Sequence, residues 1–290
     1  MNFEEFLQQK NIIPETISRH QREVAKYEKW LEHTYNKIPE TATQKDLLEY
    51  LKHIKEKRNI VSVTQYAILR LLKNYYAYLS KEYGVKNIAC LIKMRGTRRV
   101  HLPSVFTPDE LDLLCDAYYY YIQEYKPSKR GLYYNPNYKK MLQGRYIALT
   151  LIAYQGLTLI EVENLTKEDF DLHKGTVNIR KTLRNAARKL QLEAAQIGSL
   201  LQYYADEEDT PLMPNRNDFD KLSKSLREIN SDFRDLRQIR SSKIIHWLKI
   251  YGLRKTQYMA GHRHISSTEG YLASEIETLH NDMNNFHPLK

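Results

Sequence analysis

Cysteine is scarce in this chain of 290 residues, which contains only Cys90 and Cys115. The two stand far apart, and neither a CxxC pair nor a histidine lies at metal-ligand spacing from them. We therefore expect two reduced, buried thiols and no disulfide. Glycine and proline are also sparse, at 10 and 9 residues, and there is no low-complexity tract or internal repeat. This composition excludes collagen-like and disordered chains and indicates a globular protein long enough for two domains.

Long apolar runs are missing as well. No window reaches the length of a membrane span, and the start MNFEEFLQQKN carries acidic residues where a secretory signal has a basic and then an apolar stretch. From the sequence we expect a cytoplasmic, nucleoid-associated protein with no membrane partner.

Positive charge is present in excess and is unevenly distributed. The net charge is +10, and residues 1–100 hold 19 basic and 11 acidic residues, whereas the remainder is nearly balanced. A basic first third indicates a surface for a phosphate backbone, although a basic face can also be merely solvated.

The first 92 residues predict an all-helical module. Ile17, Val24, Tyr27 and Leu31 are spaced by seven, three and four residues, as on one helix face. Two further helices are predicted, one capped by Thr43 and one ending at Gly84. Their lysines and arginines could clamp duplex DNA or could only keep a small bundle in solution. The basic side chains concerned are Lys26, Lys29, Lys52, Lys55, Lys57, Arg70 and Lys73.

A basic linker is predicted over residues 93–104, where Gly96 and Pro103 interrupt any helix. Such a linker can cross a DNA backbone while two domains close around the duplex. The linker cations expected to bind DNA are Lys93, Arg95, Arg98 and Arg99. The second domain then covers residues 105–290 and begins with a helix capped at Thr107.

The second domain is predicted to be α-rich with one small β-hairpin. The segment GRYIALTLIAYQG is typical of a buried helix ending at Gly156, and the alternation in GTVNIRK and RKLQL predicts two strands. The tyrosine run 118–121 and the following KPSKRGLYYNPNY suggest an exposed, irregular insertion.

The segment from residue 235 to 279 carries the motifs that point to a function. A basic box, Arg237-Gln238-Ile239-Arg240, is followed by Gly261-His262, and Tyr271 stands nine residues after that histidine. In this order and spacing the chain resembles the tyrosine recombinases of the phage-integrase type. The resemblance also covers the helical N-terminal module, the linker, the segment QGLTLIEVENLTKEDFDL and the hairpin.

The resemblance implies a mainly α protein, with a core-binding (SAM-like) helical domain and a catalytic domain of the DNA breaking-rejoining fold. Tyr271 would attack a DNA phosphodiester and form a 3′-phosphotyrosyl link, without ATP, metal or other cofactor. Arg240, His262 and Arg237 would hold the phosphate, and Lys181 would protonate the leaving 5′-oxygen. A free tyrosine phenol has a pKa of about 10, so neighbouring cations must stabilise its anion. Additional DNA contacts are expected from Arg184, Arg263 and His264.

Two positions depart from the family pattern, and one assignment is ambiguous. Thr158, in the segment QGLTLIE, stands where the family has its first phosphate-binding arginine. Loss of one such donor costs about a hundredfold to a thousandfold in rate, and Arg145 or an arginine of the 180–188 turn could substitute. Arg237 replaces a histidine and cannot act as a base near neutral pH. Three basic residues also compete with Lys181 for the role of general acid, namely Arg184, Arg188 and Lys189.

Other interpretations of these residues stay open. His262 and His264 could be a metal pair, but no Cys, Asp or Glu cluster completes such a site. Glu161 is expected to anchor the start of a helix. The alternative function is a catalytically impaired relative that binds recombination sites as an accessory or regulatory protein. If the enzyme is active, its expected partner is double-stranded DNA, on which it would form a homo-tetramer at synapsed sites, alone or with a second recombinase. The C-terminal helix would pack either on its own subunit or on a neighbouring one.

Overall fold

A computed structural model describes residues 1–12, 14–94, 104–126, 137–205 and 213–272. The chain divides into two compact units, residues 1–99 and 100–290. The sequence-based boundaries at residues 92 and 105 stay a prediction, because most of the linker between them lies outside the described residues. No helix in the described part of the chain is long and apolar enough to cross a membrane.

The first unit is helical, as predicted. Its α-helices are α1 (Phe3–Gln9), α2 (Pro14–Tyr35), α3 (Gln44–Arg58) and α4 (Ser62–Tyr83), with short 3-10 turns at Pro39–Thr41 and Ile88–Leu91. The predicted stripe on α2 is confirmed, since all four of its residues are buried. Thr43 caps α3 in a reciprocal capping box, and Gly84 ends α4 in the left-handed conformation with φ of +69°.

The second unit is built around one helix that is buried on nearly all sides. Its helices are α5 (Pro108–Glu124), α6 (Tyr138–Gln155), α7 (Leu159–Glu163), α8 (Ala194–Tyr203), α9 (Arg216–Ile229) and α10 (Leu236–Ala260). Helix α6 is the central one and packs against α5, α8 and α10. Helix α10 is interrupted at Gly252, whose φ is +70°. A last helical segment is described over residues 265–272.

A small antiparallel sheet completes the second unit. Strands β1 (Phe170–Asp171), β2 (Thr176–Ile179) and β3 (Arg188–Gln191) follow one another in order. The register pairs Phe170 with Val177, and Ile179 with Arg188. The mainly α class with a small antiparallel hairpin is therefore confirmed, with β1 as an additional strand.

Two local predictions are wrong. Cys90 is exposed, because it lies in a short surface 3-10 turn, whereas Cys115 is buried as expected. Tyr118 does not belong to an exposed insertion, because α5 places it fully in the core of the second unit. Residues 127–136, which form most of the expected insertion, lie outside the described part of the chain.

Candidate active site

Helix α10 positions the second arginine of the basic box inside the second unit. The Arg240 guanidinium donates to the carbonyl of Gly156, and its Nη2 donates to the carbonyl of Ala260 at 2.9 Å. Gly156 follows the last residue of α6, and Ala260 is the last residue of α10. Carbonyl groups at helix C-termini carry partial negative charge, so two helix ends hold this cation in place. Burial lowers the pKa of Arg240, and the nearby Glu161 carboxylate opposes that effect.

Arg237 takes a different position from Arg240. Its side chain is exposed in the first turn of α10, one turn before Arg240 along the helix. The structure therefore places Arg237 at the surface rather than in the buried part of the site. Its predicted contact with phosphate stays a prediction.

His262 follows directly on the glycine that ends α10. Gly261 has φ of +72°, which reverses the chain and lets the His262 amide donate to the carbonyl of Gln257 at 3.0 Å. The His262 Nδ1 lies 2.9 Å from the hydroxyl of Thr268, and Nε2 lies 3.4 Å from Arg240 Nη2. Because a guanidinium can only donate, the favoured tautomer carries its proton on Nδ1 and accepts at Nε2.

The electrostatic surroundings keep His262 neutral. Burial and the positive charges of Arg240 and Arg188 lower the pKa of His262 to about 4. A neutral imidazole with no proton on Nε2 can take one up at that nitrogen, whereas the sequence predicted only a donor to phosphate.

Tyr271 lies beside both of these side chains. Its ring is stacked on that of His262, and its phenol is close enough to Arg240 to interact electrostatically with the guanidinium. Thr268 and Tyr271 are three residues apart on the last helical segment, so one helix face presents both to His262. Tyr271 also packs against an apolar cluster that includes Trp247. The structure thus brings together three of the predicted residues, Tyr271, Arg240 and His262.

Glu161 forms the floor of the site. Thr158 is the N-cap of α7 in a capping box with Glu161, which confirms that Glu161 anchors a helix start. The same carboxylate accepts from the side-chain amide of Asn185 at 3.0 Å and from the guanidinium of Arg188. Burial raises the pKa of Glu161, but the hydrogen bonds and charge of Arg188 outweigh it, so the pKa lies below its ordinary value. Glu161 is therefore an ionised, buried carboxylate.

Arg188 also belongs to this cluster, although sequence analysis named it only as one candidate among several. The alternation of β3 places Arg188 and Leu190 on the inner face and leaves Lys189 outside. The Arg188 side chain has no exposed surface, and its Nε donates to the carbonyl of Met259 at 2.7 Å. A side chain at residue 261 would collide with the Arg188 guanidinium, which is a second reason for glycine there. The alternating pattern RKLQL was the signal for this inward arginine.

Arg145, the other candidate substitute for the missing arginine, lies elsewhere. Its Nη2 forms an ion pair with Asp218 at 2.8 Å, and the side chain is largely buried in that pairing. The proposal that Arg145 takes the place of Thr158 is therefore wrong, because its guanidinium is already held by a carboxylate of α9.

The turn between β2 and β3 is fixed to the loop that carries His262. Asn185 forms an isolated antiparallel bridge with His262, and the amide of Ala186 donates to the carbonyl of Gly261 at 2.8 Å. Arg263 Nη2 donates to the carbonyl of Thr182 at 2.6 Å. These contacts place the turn that carries Lys181 at the edge of the site.

The remaining predicted residues either are exposed or lie outside the part of the chain that the structure describes. Five predicted basic residues are exposed, namely Lys93, Lys181, Arg184, Arg263 and His264. Arg95, Arg98 and Arg99 lie outside the described residues, as does the predicted tail helix beyond Leu272. Among the described residues, no group of three or more His, Cys, Asp or Glu side chains could hold a metal ion.

Comparisons with known proteins agree with this architecture. Residues 1–83 match the family model for the phage integrase N-terminal SAM-like domain. A search of curated proteins found no sequence match.

Solved structures of recombinases share the fold over almost the whole chain. XerH site-specific recombinase bound to a palindromic difH substrate has a TM-score of 0.68 at 17% identity, covering 92% of this chain and 78% of XerH. A lambda integrase dimer bound to a COC′ core site has a TM-score of 0.64 at 12% identity, covering 94% and 75%. The Tn1549 transposon integrase in complex with circular intermediate DNA has a TM-score of 0.62 at 16% identity, covering 96% and 100%. The chain therefore has the fold of the tyrosine recombinases, with a phage-integrase SAM-like domain at its N-terminus.

Proposed function

We propose that this protein is a site-specific DNA recombinase, an integrase of a mobile element, which cuts and rejoins DNA through a 3′-phosphotyrosyl intermediate. One observation carries the proposal: Tyr271 is stacked on His262 and lies beside the Arg240 guanidinium. A phenol, a neutral imidazole and a buried guanidinium in one place are the groups that phosphodiester transfer to a tyrosine requires.

The reaction assigns each group a task. The Tyr271 oxygen attacks the scissile phosphorus, the new bond joins phosphorus to that oxygen, and the bond to the 5′-oxygen breaks. The phenol proton passes to His262 Nε2, which accepts in the described tautomer. A proton from Lys181 then completes the 5′-hydroxyl that leaves. A second 5′-hydroxyl reverses these steps on another strand, and no external energy source is needed.

Phosphate binding follows from the charges of the site. The Arg240 guanidinium presents donors in a planar fork that suits two non-bridging oxygens. His262 donates to the same phosphate once it holds the phenol proton, because both ring nitrogens then carry hydrogen. Arg237, exposed in the first turn of α10, adds a donor at the rim.

The DNA duplex is the expected partner. Exposed Arg184, Arg263 and His264 surround the hairpin turn, and Lys93 opens the basic linker. Such contacts position the backbone and make affinity fall steeply with salt. We propose a tetramer on synapsed DNA as the working species, alone or with a second recombinase, and association with the nucleoid.

An accessory DNA-binding role is the second candidate. The observation that favours it is that Thr158 is occupied as a helix cap, at the position where the family resemblance places an arginine. Both functions require DNA binding, so a binding assay does not separate them. Only the recombinase requires the Tyr271 hydroxyl.

Covalent trapping tests the proposal. Wild type, Tyr271→Phe and the control Tyr258→Phe, an exposed tyrosine of the same unit, are incubated with labelled DNA that flanks the gene. We expect a denaturant-stable adduct with wild type and Tyr258→Phe and none with Tyr271→Phe. Salt-sensitive, site-selective binding without any adduct would overturn the recombinase function and favour the accessory role.

A further inference from the structure

Two buried arginines face a single carboxylate at the floor of the site. Arg188 Nη1 and Nη2 lie 2.5 and 3.2 Å from the two oxygens of Glu161. Arg240 Nη1 is farther away, at 3.8 Å from Glu161 Oε2. The Arg188 and Glu161 side chains have no exposed surface, whereas one tenth of the Arg240 side chain is exposed.

The charges of these three side chains do not cancel. Glu161 contributes one negative charge, and the two guanidiniums contribute two positive charges. Arg188 binds both oxygens of the carboxylate, which is the geometry of a strong ion pair. Arg240 donates its hydrogen bonds to the carbonyls of Gly156 and Ala260, and its contact with the carboxylate is the longer one, at 3.8 Å. The excess positive charge therefore belongs to the arginine that lies next to Tyr271.

Arg188 comes from the hairpin and Glu161 from α7, 27 residues earlier in the chain. Without Arg188, the nearest cation to Glu161 would be Arg240. An ionised carboxylate in a buried place attracts a cation strongly, so Arg240 would be drawn onto Glu161 and its charge neutralised.

We infer that Arg188 is a positioning residue of the proposed site: it neutralises Glu161 and so leaves the charge of Arg240 for the scissile phosphate. The inference rests on the proposed function. Arg188 acts through Glu161, since its own side chain has no surface with which to touch DNA.

A double-mutant cycle tests this role. Adduct formation is timed at saturating DNA for wild type, Arg188→Met, Glu161→Gln and the combination of both. We expect Arg188→Met to slow the reaction by about a hundredfold to a thousandfold. Glu161→Gln removes the negative charge that Arg188 neutralises, so the double variant should recover at least about tenfold relative to Arg188→Met.

A second substrate distinguishes an electrostatic role of Arg188 from a purely structural one. A methylphosphonate at the scissile position lacks one anionic oxygen and needs less positive charge for its transfer. Arg188→Met should therefore lose less than about tenfold on this substrate, whereas a merely misfolded site would lose equally on both. Arg188→Lys keeps the charge and should stay within about tenfold of wild type on the phosphate substrate. Arg188→Lys is the variant to use if Arg188→Met does not fold.

The outcomes are distinguishable from failure of the proposed function. If wild type forms no adduct, the recombinase function and this inference fail together. If wild type forms the adduct and Arg188→Met keeps its rate, only the inference fails. It also fails if the double variant is no faster than Arg188→Met, or if Arg188→Met loses equally on both substrates.

Discussion

The ring of Tyr271 lies parallel to the imidazole of His262, with 5.9 Å between the ring centroids and 10° between the planes. The two residues are nine positions apart, and the last helical segment, over residues 265–272, brings Tyr271 back beside His262. Thr268 fixes the orientation of the imidazole through Nδ1. The pair therefore has a defined geometry within the second unit.

The first prediction concerns the pH dependence of stability through His262. Its pKa falls from an ordinary value of 6.5 to about 4 in the folded protein. Protonation therefore favours the unfolded chain, so this contribution to stability is fully present above pH 6.5 and is lost as the pH falls toward 4. Discounted for partial exposure of the ring, the loss should be about 1–2 kcal/mol. Urea unfolding between pH 7 and 4 measures it.

The control for this prediction is His262→Gln, which has no titrating ring. Its stability should fall less than that of wild type over the same pH range. Equal acid sensitivity of the two proteins would contradict the assignment of His262 as a buried neutral base.

The second prediction concerns Glu161 as the counterion of two buried arginines. Glu161→Ala leaves Arg188 and Arg240 without a carboxylate and should cost about 3–5 kcal/mol in the free energy of unfolding. Glu161→Gln keeps hydrogen-bonding atoms in place and should cost less. Trp247 lies in this unit and Trp30 in the other, so fluorescence in a Trp30→Phe background reports the unfolding of the second unit. Equal costs for the two variants would contradict the charge argument.

The third prediction compares two glycines with nearly the same backbone conformation. Gly261 has φ of +72° and Gly252 has φ of +70°, but only at residue 261 would a side chain collide with Arg188. Alanine at either position suffers the left-handed strain, and Gly261→Ala should cost a further 1–3 kcal/mol or so. Urea unfolding measures both, and covalent trapping should show a slower reaction for Gly261→Ala alone. Equal destabilisation would mean that Arg188 moves aside freely.

The fourth prediction tests Lys181 as the general acid. Lys181→Ala should slow cleavage by about a hundredfold or more, because the leaving 5′-oxygen needs a proton. A substrate with sulfur in place of that oxygen leaves without a proton, so the defect should largely disappear. Lys189→Ala is the matched control, since Lys189 is exposed on β3 and competes for the role. If the sulfur substrate restored the rate of Lys189→Ala and not that of Lys181→Ala, the role of general acid would belong to Lys189.

The fifth prediction concerns Thr158. In the wild type, Thr158→Arg should not accelerate the reaction, because Arg188 already neutralises Glu161 and the helix cap is lost. In an Arg188→Met background, the same change should restore part of the rate, since an arginine at residue 158 starts next to the Glu161 carboxylate. Adduct timing on both backgrounds checks this, and acceleration of the wild type would show that the site lacks a cation.

The sequence predicted the helices because their signals are local. Thr43 and Thr107 cap helices through residues three positions later, and Gly84 ends one without help from distant parts of the chain. Strand β1 was missed because two residues, Phe170–Asp171, are too few for an alternating pattern. Its pairing with β2 depends on the folded sheet rather than on its own composition.

Only those residues of the candidate site that belong to a motif of recognisable spacing could be predicted from the sequence. Tyr271, Arg240 and His262 followed from the order of residues in the chain, and the structure brings them together. The alternation in RKLQL indicated that Arg188 faces inward, but its place in the site could not be chosen over Arg145 or Arg184, because its partner Glu161 lies on another element. Neither could the neutral state of His262 be derived, since it results from burial among cations.

The backbone bridge between Asn185 and His262 limits how the hairpin can change during evolution. Most surface turns accept an added residue at little cost. One residue inserted between Asn185 and Arg188 would leave the bridge in place and shift β3 by one position, so that Arg188 would face outward and Lys189 inward. Natural variants of this chain should therefore differ in length elsewhere, while the three-residue spacing between the bridge and the inward arginine stays constant.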